Sequence, residues 1–145
     1  MDRFLEAALD EARQGFSEGG IPIGSVLVSQ GRILGRGHNR RVQAGSAVLH
    51  AEMDALERAG RLDARTYRDS VLYTTLSPCA MCSGAILLYG IPRVVIGENR
   101  TFRGEEQLLR SRGVTLDVVD DRGCAELLTS FIRDHPELWN EDIGR

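Results

Sequence analysis

Lysine is missing from this 145-residue sequence, and all 18 basic positions are arginine. Without an amine side chain, Schiff-base, P-loop and Ser-Lys chemistries are excluded together. The all-arginine choice itself reads as codon usage. Cysteine is scarce as well: there are three, and two of them sit as Cys79-Ala-Met-Cys82. That spacing is too tight for a disulfide framework, and the odd count suits a reducing compartment. Long apolar runs are absent. The stretch Ala85 to Tyr89 falls far short of the roughly 20 residues needed to span a bilayer, and the opening Met1-Asp-Arg-Phe-Leu-Glu6 mixes both charge signs without an apolar signal core. The expectation is a cytoplasmic protein with no membrane partner. An excess of positive charge is lacking too, since 21 acidic residues leave a net charge of −3. Gripping a phosphate backbone needs clustered cations, so the expected partner is a small molecule and not a nucleic acid.

What is present describes one domain over residues 1–145, with 42% apolar and 27% charged residues. A chain of this length buries roughly two-thirds of its unfolded surface, so the core needs neither disulfides nor a structural metal. Apolar residues at Phe4, Leu5, Ala8, Leu9, Ala12 and Phe16 predict an amphipathic helix that stops at Gly19-Gly20. Ile23–Ser29 and Ile33–Gly37, divided by Gln30-Gly31, predict a β-hairpin. A polar stretch from His38 to Ser46 leads to a helix over about His50–Ala59. Val71–Thr75 predicts a buried strand, after which Ser77 as N-cap and Pro78 at the first helical position open a helix ending at Gly90. Strands at Arg93–Gly97 and Thr115–Val119 alternate with helices at Glu105–Arg112 and Asp121–Asp134, and a short tail carries Trp139. Hairpin first, alternation after, implies a mixed five-stranded sheet with helices on its faces, an α/β fold.

Two fragments carry the chemistry: His50-Ala-Glu52 at the start of one helix and Pro78-Cys79-Ala-Met-Cys82 at the start of another. Cysteines three residues apart share a helix face, and the positive end of the helix dipole favours their thiolates. With His50 they make a His-Cys-Cys set for one tetrahedral Zn²⁺ per chain, leaving a fourth position open for water. A structural zinc would close that position, but Cys124, His38 and His135 are not at ligand spacing. Zinc lowers the pKa of its water, and Glu52 is placed to take the proton and return it. His-x-Glu followed by Pro-Cys-x-x-Cys is the zinc deaminase signature. A structural zinc module and a thioredoxin-like redox pair are the competing readings.

The sequence also resembles the fungal-type cytosine deaminases across nearly its whole length. The resemblance runs through Gly35-Arg-Gly-His-Asn39, His50-Ala-Glu52, Tyr73-Thr-Thr-Leu-Ser-Pro-Cys-Ala-Met-Cys82, Tyr89-Gly-Ile-Pro-Arg93, Gly97-Glu-Asn99 and the tail Glu141-Asp-Ile-Gly144. It implies the cytidine-deaminase-like three-layer α/β/α fold, deamination of free cytosine to uracil and ammonia, and a homodimer. It implies zinc on His50, Cys79 and Cys82, with Glu52 as proton shuttle. Asn39 and the Ala51 N–H would hold the ring carbonyl, and the Ser77 carbonyl would face the amino group. Phe102 and Trp139 would pack on the ring, and Asp142 would accept the proton on ring N1. The chain departs from the family's pattern at Ala80, where an acidic residue is usual, and at Asn140, where an aromatic follows the tryptophan.

A carboxylate that accepts from N1–H has no donor to meet when N1 carries a sugar, so free bases are expected and nucleosides are not. Other readings of the same residues are a deaminase of a related amino-heterocycle (isocytosine, a guanine-like base, a creatinine-like ring) or a tRNA adenosine deaminase. Taken singly, Asn39 reads equally as a turn residue, Phe102 and Trp139 as core aromatics, and Cys124 as a buried thiol. His38 and His135 read as surface or hydrogen-bonding residues, and Arg40 and Arg41 as a solvated loop.

Overall fold

The computed structural model describes all of residues 1–145. The first helix, α1 (Arg3–Ser17), starts where the Asp2 carboxylate accepts from the Phe4 and Leu5 amides and buries Leu5, Ala8, Leu9 and Ala12. The hairpin follows as β1 (Gly24–Ser29) and β2 (Arg32–His38), and its turn residues Gln30 and Gly31 both have positive φ, as a type I′ turn requires. Then come α2 (Arg41–Ala44), α3 (Ala51–Ala59), α4 (Ala64–Arg68) and β3 (Ser70–Leu76). The remainder is α5 (Ala80–Tyr89), β4 (Arg93–Glu98), α6 (Glu106–Ser111), β5 (Thr115–Val118), α7 (Arg122–Asp134) and α8 (Pro136–Asp142).

The five strands form one sheet in the order β2-β1-β3-β4-β5. Both pairings of β1 are antiparallel and the β3–β4 and β4–β5 pairings are parallel, which gives the expected mixed sheet. Strand alternation sorts the core into two layers. Val26, Val28, Tyr73 and Val95 pack against α1, whereas Leu27, Leu72, Val94 and Ile96 meet Ile86 of α5 and Leu109 of α6 on the other face. A third cluster, with Ile21, Ile23, Leu76, Leu128, Phe131 and Trp139, closes one end of the sheet. No helix is long and apolar enough to cross a membrane.

The glycines of Gly35-Arg-Gly-His-Asn39 seat α3. A Cβ on Gly35 would lie 2.3 Å from the Ala55 carbonyl oxygen, and one on Gly37 would lie 2.7 Å from the Ala55 amide nitrogen. Only glycine lets the helix backbone approach β2 this closely. The buried Asp54 carboxylate locks the contact by accepting from the His38 amide and from Arg40 Nε.

Three expectations are corrected. The α5 N-cap is Cys79, not Ser77, because the Ser77 hydroxyl donates to Glu106 at 2.6 Å instead. The short tail is a helix: α8 buries Trp139 and Asp142. The loop after His38 contains the single turn α2, and its arginines are paired, not merely solvated.

Candidate active site and metal centre

His50 and Cys79 are the N-cap residues of α3 and α5, and neither side chain is spent on capping its helix. The two helix N-termini therefore present an imidazole and a thiol to the same point. Cys82 joins them from the first turn of α5, fully buried. The His50 Nδ1 to Cys79 Sγ distance is 3.4 Å, and the three donor atoms lie within 4.8 Å of one another. Tetrahedral zinc, with Zn–S of about 2.3 Å and Zn–N of about 2.0 Å, sets neighbouring donors about 3.5–3.8 Å apart, so this set fits the ion with small adjustment. No other His, Cys, Asp or Glu group converges in this way, and Cys124, His38 and His135 lie outside it.

The protein groups alone show what a cation would find. The hydrogen bond from Cys82 brings the Cys79 thiol down to about 4 against the opposing effect of burial, and His50 adds to the shift. Cys82 itself is pushed well up by the neighbouring Cys79 and by burial. Burial disfavours a charged His50, but Asp142 and Cys79 outweigh it and raise the imidazole to about 10. The ligand set thus holds protons that a metal displaces on binding. Glu52 is buried two residues past His50, and burial pushes its carboxyl up to about 7.

Beside these donors is a small cavity lined mostly by apolar side chains. His50, Glu52 and Cys79 form its floor, and Ala51 and Ser77 reach it from the helix start and the loop after β3. Ser77 is held on three sides: its amide donates to the Glu98 carbonyl, its hydroxyl donates to Glu106, and the same oxygen accepts from the Gly104 amide. Phe102 and Trp139 meet edge to face at 5.9 Å between centroids and close the top. Asp142 completes the wall.

Asp142 is held by three side chains. Its carboxylate accepts from Arg41 Nε at 2.8 Å and from Asn39 Nδ2 at 3.0 Å, and it lies 3.1 Å from His50 Nε2. Burial opposes its ionisation, yet these partners, His50 foremost, hold the carboxyl below its usual range. Asn39 is fully buried behind Asp142 and does not line the cavity. Its Oδ1 accepts from the Arg41 amide.

All the residues singled out in the sequence thus gather in one place, with Asn39 and Cys82 just behind the cavity wall. Sequence reasoning missed Arg41, set aside as a solvated loop, and the apolar lining of Ile23, Leu76 and Ile143. It also missed Glu98 and Glu106, whose burial no local pattern announces.

Residues 1–98 match the model of the cytidine and deoxycytidylate deaminase zinc-binding region. The chain is 56% identical over 141 residues to a cytosine deaminase of Candida albicans, covering 97% of this chain and 94% of that protein. It is 39% identical over 140 residues to a tRNA-specific adenosine deaminase of Streptococcus pyogenes, covering 90% of this chain and 88% of the other. Among solved structures, a guanine deaminase from Nitrosomonas europaea superposes with a TM-score of 0.68 at 24% identity, over 88% of this chain and 82% of that one, and shares the fold. Matching sequence model, converging His-Cys-Cys donors and fold agree, and the chain belongs to the cytidine and deoxycytidylate deaminase zinc-binding family.

Proposed function

We propose that this chain is a zinc-dependent deaminase of free cytosine, releasing uracil and ammonia, and that it serves pyrimidine salvage in the cytoplasm as a homodimer. The observation that carries the substrate is Asp142, a buried carboxylate held below its usual range in the wall of the cavity beside the three donors. The cavity is small and its lining mostly apolar, which suits a single flat ring.

His50, Cys79 and Cys82 hold the zinc, and when bound the ion lowers the pKa of a coordinated water towards neutrality. Glu52, raised to about 7, is poised to exchange protons near neutral pH. It accepts one from the attacking water, gives it to ring N3, and delivers the water's second proton to the amino nitrogen as the C4–N bond breaks. Water and cytosine are thereby converted to uracil and ammonia with atoms balanced. Asp142 accepts from ring N1–H. The Ala51 amide, at the start of α3, serves the ring carbonyl, while the Ser77 carbonyl accepts from the amino group; Asn39, expected on the ring carbonyl, instead steadies Asp142 from behind the cavity wall. Phe102 and Trp139 pack on the ring from the closed end of the cavity and exclude water. For the dimer, α5 is apolar on nearly every side, yet Leu88 is 74% exposed, which leaves a face for a second copy to cover.

Ammonia release tests the reading. Cytosine should react, while cytidine should be rejected by a factor on the order of 10⁴, because its N1 offers Asp142 no proton. Comparable kcat/KM for the two overturns the assignment. Turnover of an adenosine-containing tRNA and not of cytosine moves the chain beside its 39% identical relative. Glu52→Gln should keep about one zinc per chain and lose about 10²–10⁴-fold in kcat.

A further inference from the structure

Arg41 reaches across 101 residues of sequence to Asp142. It is the first residue of α2, its side chain is only 15% exposed, and it does not line the cavity. Its guanidinium has three separate acceptors. Nε donates to Asp142 Oδ1 at 2.8 Å, Nη1 to Glu141 Oε1 at 2.9 Å, and Nη2 to the Ala47 carbonyl at 3.3 Å. One planar group thus ties α8 to the segment that runs into His50. Its main chain contributes too, since the Arg41 amide donates to Asn39 Oδ1 and so turns the Asn39 amide nitrogen towards the other Asp142 oxygen.

We propose that Arg41 is a positioning residue that aims the Asp142 carboxylate and latches α8 over the cavity. Both tasks need the fork and not merely a positive charge. Lysine carries a single ammonium on a flexible stem and cannot span two carboxylates and a carbonyl in one plane. When the latch is removed, Asp142 keeps Asn39 and His50 as partners, and Trp139 keeps its apolar neighbours, so α8 loosens without unfolding. Arg41 therefore acts on the substrate only through Asp142. The kinetic part of this inference rests on the cytosine reading; the docking of α8 does not.

Trp139 is the single tryptophan of the chain and lies on α8, so its fluorescence reports the latch directly. In zinc-loaded Arg41→Gln, acrylamide should quench Trp139 at least twofold more strongly than in the parent, with zinc content unchanged. KM for cytosine should rise at least tenfold, while kcat changes less than threefold. Arg41→Lys should resemble Arg41→Gln. Glu141→Arg changes an exposed residue and places a positive charge against the latch, so it should raise quenching in the same direction. Parent-like quenching in both Arg41→Gln and Glu141→Arg overturns the proposal, as does a fall in kcat with KM unchanged. Full recovery by Arg41→Lys also overturns it, since charge alone then suffices. A parent inactive on cytosine overturns the substrate reading of the preceding section, whereas quenching bears on Arg41 alone.

Discussion

The two aromatic walls of the cavity are held by opposite means. Phe102 sits on the loop between β4 and α6, pinned at both ends by buried carboxylates. Glu98 accepts from the Arg100 and Thr101 amides at 2.7 and 3.0 Å and from the Thr101 hydroxyl, and Glu106 accepts from Ser77 at 2.6 Å and Asn99 at 3.3 Å. Most of these partners are close in sequence, so this wall is complete once β3 and β4 have paired. Trp139 instead arrives last, on α8, and its helix is secured by an apolar cluster and by Asn39, Arg41 and His50, all far back in the chain. Access to the cavity therefore runs through α8, and the Phe102 loop is the fixed side against which it closes.

Removing residues 136–145 breaks the comparison most severely. Trp139 is 6% exposed among Ile21, Ile23, Leu76, Leu128 and Phe131, so its loss opens a core cavity and should cost about 3–5 kcal/mol in urea unfolding. Cytosine deamination should fall at least about 10³-fold, because Asp142 goes with it. The burial of Trp139 makes the helix both lid and core. A truncated protein as stable as the parent refutes that double role.

Glu98→Ala attacks the fixed wall instead. Two backbone amides and a hydroxyl lose a buried acceptor, which should cost about 2–3 kcal/mol of unfolding free energy. The Phe102 loop should loosen while α8 stays docked, so quenching of Trp139 should stay near the parent level. A rise equal to that of Arg41→Gln would mean the walls move as one, and the asymmetry would be lost.

The same asymmetry explains what the sequence disclosed. The Leu5, Ala8, Leu9, Ala12 period, the Gln30-Gly31 turn and the His-x-Glu and Cys-x-x-Cys spacings are local, and each has a local physical cause, so they could be read directly. The helices α2, α4 and α8 have between four and seven residues, too few for a 3.6-residue period to show. Glu98 and Glu106 look like any surface acid until the sheet closes over them. Arg41 is the extreme case, because its meaning depends on a carboxylate 101 positions away, and no window of sequence contains both.

The smallest expected effect concerns the base from which the latch extends. His38 ends β2 immediately before Asn39 and is nearly fully buried between two carboxylates, Nδ1 at 2.9 Å from Glu11 and Nε2 at 2.7 Å from Glu18. Glu11 and then Glu18 raise its pKa, against burial and the nearby Arg40. In return His38 foremost lowers Glu11, which also pairs with Arg36, and Gln14 with His38 brings Glu18 to about 2. The raised histidine contributes stability that is complete below its unfolded pKa, about 6.5, and is lost as pH rises through the folded value. The lowered glutamates contribute above about 4.5 and lose their share as pH falls through their folded values. The clamp's contribution is therefore complete between about 4.5 and 6.5, and it fades on the alkaline side as pH rises through the raised His38 value. Thermal melts of the zinc-loaded parent from pH 6 to 9 should lose a few degrees that His38→Gln does not lose. Because Asn39 follows His38 directly and Arg41 lies only three residues on, the parent's Trp139 quenching should rise along the same curve. Equal pH slopes for parent and variant would remove His38 from the account of how the movable wall is anchored.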